Sequence, residues 1–132
     1  MRAFLDTHVL LRWFAAHDGL SARQRRIINA AGADDPLLVS DISLWEVATL
    51  HELGRIRLSL PLRDWLEQAT ALAQVERIGI SPAVAAEVAA LPSTFHRDPA
   101  DRIIVASAPV HGARLLTQDG RIITSRLVPT VS

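Results

Sequence analysis

Short apolar runs recur along this chain, separated by stretches with helical spacing, and this alternation constrains the fold more than any other feature. Residues 2–5, Arg-Ala-Phe-Leu, read as a buried strand closed by Asp6, and Val9, Leu10, Trp13 and Phe14 continue at helical intervals. A turn is expected at Asp18-Gly19. Ser21 and Gln24 then form a capping box for a helix reaching about Ala31. Asp34-Asp35-Pro36 breaks that helix, and Leu37-Leu38-Val39 is a second buried run. A helix carrying Trp45, Val47, Ala48, Leu50 and Leu53 follows, with Gly54 as its stop. Pro61 opens a fourth helix, with Leu62, Trp65, Leu66, Ala69, Leu72 and Ala73 on one face. A third strand is expected over 75–80, and Ser81-Pro82 starts a helix that stops before Pro92. Asp98-Pro99 starts another helix, which Pro109 should kink or end. Ala113 to Thr117 is the fourth strand, and 121–130 should add a last short one. Such an order predicts an α/β fold in one Rossmann-like domain over residues 1–132. Its central parallel sheet has four to five strands, covered by helices on both faces.

Composition then removes whole classes of chemistry. All 14 basic residues are Arg, and Lys, Tyr and Cys are absent. P-loop, Schiff-base, serine-lysine and tyrosine-nucleophile mechanisms each need a missing residue, and so do disulfides and thiolate metal sites. Carboxylate, His, Ser/Thr and Arg chemistry remains. The net charge of zero argues against holding a nucleic acid by a global field, so a polyanion must be gripped locally. No apolar run is long enough for a transmembrane helix and no signal peptide is evident, which predicts a cytoplasmic protein.

In open α/β sheets, ligands bind beyond the carboxyl ends of the strands. Asp6 closes the first strand, Glu46 lies in the helix after the second, Asp101 begins the helix before the fourth, and Asp119 follows the fourth. All four should meet at one edge. Two carboxylates about 4 Å apart repel by about 1 kcal/mol in water and about 4 kcal/mol at an effective dielectric of 20, so four together call for a cation. Oxygen ligands without thiolates favour a hard ion such as Mg²⁺, and phosphodiester hydrolysis by metal-activated water is the matching chemistry. Each acid also has an ordinary role open to it. Asp6 and Asp98 could be helix caps, Ser43 and Glu46 a capping box, Asp101 a partner for the helix dipole and Asp119 part of a turn. His8 and His96 suit places near the ion better than on it. Trp13, Trp45 and Trp65 read as core, and an exposed one would make a binding anchor. Arg97 and Arg102 flank the acids and are candidate phosphate contacts.

Four segments carry a family resemblance: Leu5-Asp6-Thr7-His8-Val9-Leu10-Leu11, Ser43-Leu44-Trp45-Glu46-Val47-Ala48, the run from His96 to Ala106, and Leu116-Thr117-Gln118-Asp119. In this order and spacing the chain resembles the PIN-domain ribonucleases, specifically the VapC-type toxins of toxin-antitoxin pairs. The resemblance implies a PIN domain over 1–132 and Mg²⁺ or Mn²⁺ on Asp6, Glu46, Asp101 and Asp119. It also implies that Thr7 and Thr117 support the ligands by hydrogen bonds, and that a homodimer forms whose acidic site is blocked by a VapB-like antitoxin. The third segment carries both Asp98 and Asp101, and Asp101, followed by an apolar helix, is the better match for the ligand. Ala100 stands where a bulkier residue is common, and Pro109 interrupts a helix that usually runs on. Two other functions fit parts of the pattern. A metal-dependent phosphatase of another α/β family would need an Asp-x-Asp opening, which His8 removes. A catalytically silent partner-binding module would use the acids only for pairing.

Overall fold

A computed structural model describes residues 1–15 and 19–132, so the Asp18 half of the expected Asp18-Gly19 turn lies outside the described residues. The strands are β1 (Arg2–Leu5), β2 (Leu37–Ser40), β3 (Val75–Ile78), β4 (Ala113–Leu116) and β5 (Thr130–Val131). They form one parallel sheet in the order β3-β2-β1-β4-β5. The helices are α1 (Thr7–Phe14), α2 (Ala22–Ala30), α3 (Asp41–Glu52), α4 (Leu62–Ala71), α5 (Pro82–Ala90), α6 (Pro99–Val110) and α7 (Gly120–Ser125).

Strand side chains alternate between two apolar layers, as a pleated sheet requires. Ala3, Leu5, Leu37, Val39 and Leu116 face Val9 and Leu10 of α1, Ile28 of α2, Val47 of α3 and Trp65 of α4. Phe4, Leu38 and Leu115 face Ile104 and Val105 of α6 and Ile122 of α7. The central strands are thus buried on both sides. Each fully buried Leu or Phe contributes about 1.5–3 kcal/mol, and Phe4, Leu5, Leu38, Leu115 and Leu116 are all at 0% exposure. The expected α/β architecture, with helices on both faces, is what forms.

Local departures have physical causes. The third strand ends at Ile78 rather than at residue 80, and as an edge strand it exposes Glu76 and Arg77. Arg77 uses that position to pair with Asp41, Nε to Oδ1 at 2.8 Å. Residues 121–130 do not form the expected strand. Asp119 caps a short helix, α7, and only Thr130 and Val131 join the sheet. Helix α6 passes Pro109, which gives up the i→i−4 bond to Val105, and ends one residue later, where the His111 N–H closes it on the Ser107 and Ala108 carbonyls, both at 3.2 Å. Gly54 ends α3 as expected, with φ +71° and its N–H donating to His51 O at 3.0 Å. Trp65 is buried and Trp13 packs on Phe14, but Trp45, expected in the core, is 56% exposed.

Candidate active site

The residue after β1 is Asp6, the N-cap of α1, and it is nearly buried. Its Oδ1 accepts the Thr7 N–H at 2.8 Å and its Oδ2 accepts the Thr117 hydroxyl at 2.7 Å. A carboxylate has about four lone-pair positions, so capping α1 leaves Asp6 able to ligate. The Thr117 hydroxyl accepts the Asp119 N–H at 3.0 Å, and one side chain therefore fixes the acids of two different segments. Gln24, fully buried on α2, donates to the carbonyls of Thr117 and Val131 at 3.3 and 2.9 Å and secures this corner.

Glu46 is not the partner in a capping box. Ser40 caps α3, its hydroxyl accepting the Ile42 N–H at 3.1 Å, because the helix starts three residues earlier than that motif requires. Ser43, now inside α3, is buried and hydrogen-bonded to the Thr7 hydroxyl at 2.8 Å. That contact joins α3 to α1 beneath Glu46.

Asp98 and Asp101 stand in different surroundings. Asp98 caps α6, accepting from Ala100 N at 2.9 Å and Asp101 N at 3.4 Å, and is exposed. Asp101 is 7% exposed, and its Oδ2 lies 2.7 Å from His96 Nε2. Asp119 caps α7, accepting from Arg121 N at 2.8 Å and Ile122 N at 3.3 Å. The N-termini of α1, α6 and α7 thus converge on the acids, and their dipoles offset part of the negative charge.

Burial and mutual repulsion still weigh on three of these acids. Burial pushes the Asp6 carboxyl up, with the Thr117 hydrogen bond pulling it down and the Asp101 charge raising it further. Burial likewise raises Glu46, opposed by the Thr7 hydroxyl and reinforced by Asp101, Asp98 and Asp6. It raises Asp101 too, against the hydrogen bond from His96 and with the help of Asp98 and Asp119. The acids drawn from distant parts of the sequence therefore feel one another.

Among the described residues no three His, Asp or Glu side chains stand close enough to form a ready-made shell for one ion. Mg²⁺ usually takes only one or two carboxylates and keeps several waters. An all-oxygen, thiol-free set of mutually repelling carboxylates fits that habit.

The two arginines expected near the acids are placed differently. Arg102 is at 9% exposure, and its Nη1 donates to the carbonyls of Phe95 and His96, both at 3.2 Å. It anchors the segment before α6 and does not extend toward a phosphate. Arg97 is exposed. The cation standing at the acids is Arg121, whose Nη2 lies 3.7 Å from Asp101 Oδ2 and 3.6 Å from Asp119 Oδ2. Sequence reasoning passed over it because 121–130 read as a strand. Its signal was its place just beyond an Asp that caps a helix.

A five-stranded parallel sheet with acids gathered at its carboxyl edge has matches among known proteins. The PIN domain family matches residues 3–125, and the chain belongs to that family. It is 44% identical over 122 residues to Ribonuclease VapC22 of Mycobacterium tuberculosis (strain ATCC 25618 / H37Rv), covering 92% of this chain and 90% of that protein. Within the family it stands with the VapC-type proteins. Similar folds occur in VapBC2 from Rickettsia felis bound to a DNA fragment from its promoter, with TM-score 0.70, 15% identity and 99% and 98% of the two chains covered. A toxin-antitoxin complex from Klebsiella pneumoniae gives TM-score 0.65 at 20% identity, covering 98% of this chain and 96% of the other.

Proposed function

We propose that this chain is an endoribonuclease dependent on Mg²⁺ or Mn²⁺, and that it acts as the toxin of a toxin-antitoxin pair. Asp6, Glu46, Asp101 and Asp119 are the residues that would hold the ion. The observation carrying this reading is the gathering of these acids at one edge, three of them with pKa raised by burial and mutual repulsion. The 44% identical relative named as a ribonuclease supports the substrate class. When bound, a divalent ion would lower the pKa of a water and neutralise charge on the phosphate.

The chain's own residues set the stage for that chemistry. Thr117 and the Thr7 N–H hold Asp6 in one orientation, and His96 does the same for Asp101. Asp98 keeps α6 capped so that Asp101 stays in its first turn. Glu46 is less buried than Asp6, which suits a base or a water-orienting group. Arg97, exposed before α6, remains available to a phosphate.

The same reading makes the partner a VapB-like antitoxin, the assembly a homodimer and the compartment the cytoplasm. VapBC and other toxin-antitoxin complexes among the similar folds support the partner. The exposed Trp45, on the same helix as Glu46, is an apolar anchor open to such a partner. Among the described residues no helix is long and apolar enough to cross a membrane. The deciding test is cleavage of a mixed RNA pool with Mg²⁺ or Mn²⁺, beside an EDTA control and Asp6→Asn. Loss of cleavage in both controls is expected. Cleavage that persists in EDTA, or in folded Asp6→Asn, overturns the reading.

A further inference from the structure

Beside the acids lies a cavity of about 410 Å³ that the chemistry above does not use. One wall is α7, which presents Arg121, Thr124 and Ser125 at helical spacing, and the other is the segment before α6, with Phe95 and His96. Leu127 closes one end. Its size is within the range of small-ligand sites.

Both walls are tied to the acids. His96 is bound to Asp101 at 2.7 Å, and Arg121 reaches Asp101 and Asp119 at 3.7 and 3.6 Å. The floor is also fixed. Phe95 is 6% exposed in the core, its ring centroid lies 4.3 Å from that of His96, and the buried Arg102 holds both backbone carbonyls. A ligand with a phosphate at the acids therefore meets a guanidinium next and an apolar, ring-lined recess after it. Unpaired RNA bases are recognised in this manner, by stacking on aromatic or imidazole rings with a cation on the backbone.

We propose that this cavity is a nucleotide subsite, which seats the base adjoining the scissile phosphate of single-stranded RNA while Arg121 grips the phosphate. This rests on the reading of the acids as an RNA-cleaving centre, yet binding can be measured apart from cleavage. Arg121 is 63% exposed at its side chain and Thr124 is exposed, so both tolerate substitution without loss of the fold.

The experiment titrates the four 5′-ribonucleoside monophosphates, which have no internucleotide bond to cleave, into the full chain with Mg²⁺, followed by NMR. Two variants, Thr124→Trp to fill the recess and Arg121→Gln to remove the cation, are run in parallel with a circular-dichroism check of folding. The expected result is saturable binding of at least one nucleotide, with shifts at residues 94–96 and 121–127. Each variant should weaken it by about tenfold or more. No binding by wild type, or equal binding by wild type and both folded variants, overturns the proposal. In a separate assay wild type cleaves RNA with Mn²⁺ and Thr124→Trp loses the base preference beside the cut. If nucleotides bind the recess but wild type cleaves no RNA, the subsite stands and the hydrolytic reading fails. If RNA is cleaved with the same base preference by both proteins, the hydrolytic reading stands and the subsite fails. Protection of the recess by a protein partner, with nucleotide binding absent, gives the cavity to that partner and also overturns the proposal.

Discussion

Thr117 shows how one hydroxyl can serve structure and chemistry together. It donates to Asp6 and accepts from the Asp119 N–H, so Thr117→Val leaves one buried carboxylate oxygen and one amide short of a partner. A buried group without its partner costs about 1–3 kcal/mol. Urea unfolding should show a loss of that order together with a large drop in RNA cleavage, and an unchanged midpoint would refute the assigned role. Asp101→Asn should do the reverse to stability. It removes a charge that is penalised by burial and repelled by Asp98 and Asp119, against the loss of attraction to His96 and Arg121, so the metal-free variant should melt higher than wild type, and a lower Tm would refute this. It should at the same time lose its thermal response to Mg²⁺. At this scale the sequence was only half legible. The acids could be named because they fall at strand ends and helix starts, which a linear reading locates. The burial of Arg102 could not, since its two carbonyl partners come from a segment whose path depends on tertiary packing.

Among the elements, α6 and the segment before it behave as one unit held by Arg102. Arg102→Met preserves much of the packing volume but leaves the Phe95 and His96 carbonyls without a donor. We expect faster limited proteolysis within 92–97 and a stability loss of about 1–3 kcal/mol, with the far side of the sheet unaffected in amide exchange. Equal protection of 92–97 in variant and wild type would contradict this. The long elements were readable from sequence because their signals are local. The Ser21–Gln24 capping box, Ser81-Pro82 and Asp98-Pro99 each state a helix start within a few residues, and the box forms as expected. Helix α7 was not readable. It has six residues, two adjacent isoleucines and an Asp-Gly start that equally suits a turn, and packing of Ile122 on the second core layer decides the matter. The start of α3 was not fixed by sequence for a similar reason, since Ser40 and Ser43 are both competent caps and the end of β2 selects Ser40.

For the molecule as a whole, the raised carboxyls reverse the usual effect of pH. Asp6, Glu46 and Asp101 bind protons more tightly folded than unfolded. Between their ordinary values and their raised ones the folded state holds more protons, so stability falls as pH rises through that window. The metal-free protein should therefore be more stable mildly acidic than at neutral pH, as far as these groups decide it. Millimolar Mg²⁺ should recover stability near neutrality, because an ion that binds only the folded state shifts unfolding by mass action. Thermal melts across pH, with and without Mg²⁺, measure both effects. A neutral-pH maximum in EDTA, unmoved by Mg²⁺, would contradict them.

The bond from Thr117 to Asp6 spans 111 positions of the chain. During synthesis β1 emerges well before β4, the strand that leads into Thr117 and Asp119. A half-made chain thus carries Asp6 without the hydroxyl that orients it and without Asp119. The acidic edge is complete only once Thr117 and Asp119 have left the ribosome. A chain of a ribonuclease family is thus without its full acidic site for as long as those residues are still inside the ribosome.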